Sequence, residues 1–95
     1  MHALFVEVNA DDSHVPAARD FLPNVVAPMS REMGATGGYW LAPFDGRGVS
    51  VVVFDTEEAA RAVSERFEVG KSPGPEAPEG VTVRTVEVRE VLASV

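Results

Sequence analysis

Polar and apolar positions along the chain switch repeatedly between a period of two and a helical period. Residues 3–9, ALFVEVN, alternate: Leu4, Val6 and Val8 fall on one face, Phe5, Glu7 and Asn9 on the other, which predicts a strand. The polar ADDSH that follows offers Asp12 or Ser13 as a helix N-cap. From Val15 the apolar positions Val15, Ala18, Leu22, Val25, Met29 and Met33 recur every three or four residues, one stripe of a helix ending at Gly34. Pro16 suits the first turn, where no backbone N–H is needed. Pro23 and Pro28 lie inside and predict a bend or a break.

GATGG (34–38) reads as a loop and YWLAPF (39–44) as a second strand, which Pro43 places at a sheet edge or a bulge. Asp-Gly in DGRG (45–48) predicts a hairpin turn, and VSVVVFD (49–55) a third strand that is apolar on both faces. In DTEEAARAVSERF, Asp55 and Glu58 form a variant of the capping box, and Ala59, Ala60, Val63 and Phe67 give the buried stripe. The Pro- and Gly-rich GKSPGPEAPEG (70–80) reads as a loop. Residues 81–92, VTVRTVEVREVL, predict a last strand, with a bulge near Arg84–Thr85 where the valines change face. The order is β-α-β-β-α-β. It predicts an α+β, ferredoxin-like domain over residues 1–95, a four-stranded antiparallel sheet with both helices on one face.

Such a sheet leaves one face bare, and a strand apolar on both sides is not built for water. Each buried Phe or Val contributes roughly 1.5–3 kcal/mol, so exposing several would forgo much of a small domain's stability. A second copy packed sheet to sheet solves this, giving a homodimer. The competing solution is a cover formed by the 70–80 loop.

Composition narrows the partners. The net charge is −7 and no run of Lys or Arg occurs, so neither nucleic acid nor an anionic membrane surface is an expected partner. Without cysteine, disulfides, thiolate nucleophiles and Cys-based zinc sites are excluded. MHALFVEVNADD has neither the basic start nor the apolar length of a signal peptide, and a cytoplasmic protein is expected.

Candidate chemistry is sparse. Tyr39 and Trp40 are adjacent, so in a strand they face opposite ways and one of them at most lines a pocket. Glu7 needs a partner if it is buried, and Arg84 or Arg89 on the last strand could supply it. His2 and His14 stand alone, with no ligand-spaced neighbours, and His14 reads as a solvated cap, so no metal is expected. No serine sits in a G-x-S-x-G elbow, and the glycines form no phosphate loop.

HALFVEVN, the Pro-containing helix ending in Gly, GGYWL, GRGVSVVVFDTEEAARAV and the closing VEVREVLA together resemble the dimeric α/β-barrel superfamily. Within it they are most similar to the small stand-alone antibiotic-biosynthesis monooxygenase-like domains. The resemblance implies two ferredoxin-like protomers closing their sheets into a barrel, with a pocket between sheet and helices. It also implies a cofactor-independent monooxygenase-like activity, using O₂ on a small aromatic or apolar substrate with neither metal nor flavin. Asn9 matches a recurring functional Asn on the first strand and is the candidate catalytic residue. Phe5, Glu7, Tyr39, Trp40, Val52 and Phe54 are the candidate substrate pocket. A sheet Trp recurs in the family on the third strand, whereas Trp40 is on the second. Haem-degrading members use a His on the second helix, and residues 57–67 carry none, which argues against haem chemistry. The alternative to an enzyme is a non-catalytic homodimeric module that binds a small apolar ligand or a partner.

Overall fold

The computed structural model describes residues 1–95. Strands β1 (His2–Asn9), β2 (Ala35–Phe44), β3 (Arg47–Phe54) and β4 (Thr82–Glu90) form one antiparallel sheet in the order β2-β3-β1-β4. Two helical segments cover one of its faces. The first is a bent helix built from α1 (Val15–Phe21), a π turn (Leu22–Val26) and α2 (Ala27–Glu32); the second is α3 (Glu57–Ser64). This is the ferredoxin-like α+β arrangement.

The registers fix which residues share a face. Leu4 pairs with Val52 and Val88, Val6 with Ser50 and Val86, and Gly38 and Trp40 of β2 lie opposite Val52 and Ser50. These side chains point toward the helices. Ala3, Phe5, Glu7, Tyr39, Val51 and Val53 point the other way, and nothing in the chain covers that face. The 70–80 loop lies on the helix side instead. There the Gly70 N–H donates to Val83 O (2.8 Å) and the Val83 N–H to Lys71 O (2.7 Å), closing off the free edge of β4.

The core is Leu4, Val6, Val52, Phe54, Ala60, Val63 and Val83, where β1, β3 and β4 meet α3. Thr56, not Asp55, caps α3: its side chain accepts from the Ala59 N–H at 3.1 Å, and the helix stops at Ser64 rather than near 67. At the other helix start Asp11, earlier than Asp12 or Ser13, caps the 3-10 turn Asp12–His14 that leads into α1. Its carboxylate accepts from the Ser13 N–H, and the Asp11 N–H donates to His14 Nδ1.

The bend arises from a π turn. The Ala27 N–H reaches back five residues to Leu22 O, because Pro23 in this turn and Pro28 just beyond it carry no N–H to continue an α pattern. The Asn24 amide donates to Asp20 O at 2.8 Å and occupies a carbonyl of the distorted turn. The wider turn adds a residue to the spacing, so Val26 takes the inward position expected for Val25, which is 40% exposed. GATGG is not a loop. β2 begins at Ala35, and Gly37 and Gly38 pair with Val53 and Val52.

The hairpin turn is where the Asp-Gly signal placed it, with Asp45 and Gly46 both at positive φ (56° and 75°), as a tight two-residue hairpin requires. β2 is an edge strand, with a register shift between Leu41 and Phe44 around Pro43. The β4 bulge falls at Arg84, between Thr85 opposite Glu7 and Val83 opposite Val8. No helix is long and apolar enough to cross a membrane.

Candidate functional site

A cavity of about 190 Å³ lies between the bent helix and the sheet. Its floor is the helix-facing side of the sheet: Leu4, Val6 and Val8 from β1, Ser50, Val52 and Phe54 from β3, and Trp40 from β2. Its ceiling is the apolar stripe of the bent helix: Ala18, Phe21, Leu22, Val26, Met29 and Met33. Phe67 and the loop residues Pro73, Ala77 and Pro78 close one end. None of the bent helix's residues is fully buried, although its stripe is apolar, because the stripe faces this space rather than a packed core.

Polar side chains on the wall are few: His14, Ser30, Ser50 and Glu76. No Lys or Arg lines the cavity. Ser50 pairs with Val6 on one side and Trp40 on the other, in the middle of the floor. The His14 side chain is 21% exposed and is held by its capping contact, Nδ1 accepting from the Asp11 N–H at 3.3 Å. Hydrogen bonds from the Ser13 hydroxyl and backbone N–H hold the Asp11 carboxyl below its ordinary value, with a smaller contribution from His14. Elsewhere the perturbed groups are surface pairs. Arg61 lowers Glu57 through a hydrogen bond (2.8 Å) and its charge, and Glu87 raises Arg89 in the same way (2.7 Å). No three His, Asp or Glu side chains converge to hold a metal.

The candidate site residues separate into two groups. Trp40, Val52 and Phe54 meet on the cavity wall. Phe5, Glu7 and Tyr39 lie on the opposite, uncovered face, with Tyr39 74% exposed. Asn9 ends β1 on that same side, and its amide donates to Thr82 Oγ1 at 3.1 Å instead of reaching the cavity. Glu7, its side chain 14% exposed, pairs with Arg47 (3.1 Å) rather than with Arg84 or Arg89. Arg84 is thrown outward by the bulge, and Arg89 is engaged by Glu87. The reason for the split is simple. Alternation places Phe5, Glu7 and Asn9 together, but only the topology says which face meets the helices.

Two wall residues escaped the sequence reading. His14 does cap the turn, but the residue also lines the cavity. Ser50 was visible as the one polar side chain in VSVVVF, a signal that gains meaning only once its face is known.

Four antiparallel strands in the order β2-β3-β1-β4, with helices on one face and a cavity beneath them, form a ferredoxin-like fold. The chain superposes on the crystal structure of a point mutant of MhuD with a TM-score of 0.63 and 17% identity, covering 100% of this chain and 98% of that one. That protein was crystallised with two manganese protoporphyrin IX molecules bound per active site. At this identity the likeness establishes the fold. No family model matches the chain, and no curated protein matches it in sequence.

Proposed function

We propose that the protein is a homodimeric, monooxygenase-like α/β barrel that takes a small aromatic or apolar substrate into the cavity under the bent helix. The observation that carries this reading is the cavity itself. Nineteen of its 28 lining residues are hydrophobic, and the space exceeds the roughly 150 Å³ that accepts benzene in an apolar protein interior. One or two fused rings fit such a volume. Trp40 on the floor offers a flat surface for stacking.

The ligand of MhuD does not carry over. A tetrapyrrole is several times larger than this space. Its carboxylates would find no Lys or Arg on the wall, which carries the carboxylate of Glu76. An oxygenase reading without a tetrapyrrole needs an electron-rich substrate that reacts with O₂ itself, held where water is excluded.

The uncovered, partly apolar sheet face supports the homodimer. Phe5, Val51 and Val53 would leave water there, and the Glu7–Arg47 pair would have its charges matched across or beside the contact. Native mass spectrometry should show a species of twice 10.1 kDa. Oxygen consumption with electron-rich bicyclic phenols should depend on the protein. Saturable binding without oxygen uptake would make it a carrier or ligand-responsive module, and no binding at all would remove the cavity reading.

A further inference from the structure

We propose that His14 and Ser50 form a two-point polar anchor that selects ligands bearing a neutral, hydrogen-bond-accepting oxygen, such as a ring ketone. This rests on the cavity being the ligand site. The first point is fixed by the cap. Nδ1 of His14 accepts the Asp11 N–H, so the ring proton of the neutral imidazole sits on Nε2, and Nε2 carries a proton in the charged form as well. No group in the chain pairs with Nε2, and His14 lines the cavity. Nε2 is therefore a donor in either charge state; Nδ1 accepts the Asp11 N–H in the neutral ring and lies 3.5 Å from Asp11 Oδ1, which it faces as an ion pair in the charged one.

The second point is Ser50. Its hydroxyl stands between Val6 and Trp40 on an otherwise apolar floor and has no partner in the chain. Ser30, also on the wall, sits in a helix where a hydroxyl can turn back to a carbonyl of the preceding turn; a strand offers Ser50 no such carbonyl. Ser50 is only partly buried, so its hydroxyl is free to make a hydrogen bond to an oxygen of a ligand in the cavity.

Charge narrows the ligand further. Glu76 and the absence of any Lys or Arg on the wall disfavour carboxylates and phosphates. What remains is an uncharged oxygen on an apolar ring system.

The test compares 1-indanone with indane, which differ by one carbonyl oxygen, and adds indane-1-carboxylate as the anion. Binding is followed by titration with amide chemical shifts. Wild-type protein should prefer indanone over indane by about 3- to 10-fold, the range of one net hydrogen bond, and should bind the carboxylate more weakly than either. His14→Phe keeps ring volume and loses the donor, so the preference should disappear while indane binding persists. His14→Gln restores an N–H at the same reach and should recover the preference. Ser50→Ala should weaken it. Persistent indane binding also shows that each variant keeps its fold.

Equal affinity for both probes in the wild type would overturn the anchor and leave the cavity reading standing. A preference that survives in both His14→Phe and Ser50→Ala, and disappears only in Trp40→Phe, would also overturn it. If neither probe binds, both proposals are overturned together.

Discussion

The two halves of the helical layer rest on the same sheet and differ in how they meet it. Under α3 the contact is closed: Ala60 is 0% exposed and Val83 1%, and Phe54, which also borders the cavity, is itself 0% exposed. Under the bent helix an equally apolar stripe leaves a cavity, and no residue of Val15–Phe21, Leu22–Val26 or Ala27–Glu32 is fully buried. Hydrophobic patterning thus says that a face turns inward, not that it is filled. The difference lies in the backbone. α3 is a regular, capped helix lying along β1 and β4. The bent helix carries two internal prolines and a π turn that hold it off the floor.

Breaking the closed half should have the largest effect. Phe54→Ala should cost about 3–5 kcal/mol in urea unfolding, a large share of a small domain's stability. If it cost no more than a ceiling substitution, the contrast would collapse. Overpacking separates floor from ceiling. A Cβ on Gly38 would stand 3.1 Å from Val51 O and 3.2 Å from Val52 Cα, both backbone atoms that cannot yield locally. Gly38→Ala should therefore destabilise by about 1–3 kcal/mol.

In the hollow half, Met29→Ala should cost less than about 2 kcal/mol, the bottom of the range for fully buried side chains, since Met29 already borders open space. Ala18→Leu, which fills that space, should raise stability by about 0.5–2 kcal/mol and abolish binding of bicyclic ligands. A loss of stability on filling would show that the ceiling is as tightly packed as the floor.

The smallest effect concerns the cap that sets His14. The Asp11 carboxyl is lowered from 3.8, so its contribution is present above that pH and is lost as the pH falls through the lowered value. Asp11→Asn should be less stable than wild type at pH 7, and the gap should narrow as the pH falls below 3.8. A gap independent of pH would deny the ionised carboxylate its part in the cap.

Much of this architecture was legible in the chain. Alternation in ALFVEVN, the Asp-Gly turn, the Pro43 edge strand and the valine switch at Arg84 all located features that the fold contains. The exceptions have physical causes. Gly37 and Gly38 have little strand propensity of their own, and β3, a strand rich in β-branched residues, recruits them as its partner. The exchange of Val25 for Val26 follows from a turn whose extra residue no 3.6-residue template contains.

The candidate site was less legible than the fold. Trp40 and Tyr39 had to face opposite ways, but which one meets the cavity depends on pairing with Ser50 and Val51, a long-range fact. Glu7 meets Arg47 across the β1–β3 pair, not an arginine of β4, because strand order is not written in local alternation.

The loose seating of the bent helix also bears on kinetics. A segment with few buried contacts opens at lower free energy than the unit it leans on, so amide protons in Ala27–Glu32 should exchange with solvent well before those of β1 and β3. Brief lifting of this segment would widen the way into the cavity. A ligand present at a hundred times its Kd would oppose that lifting by about 2.7 kcal/mol. Slowed exchange confined to residues 15–32 would thus mark occupancy of the cavity before any substrate is known.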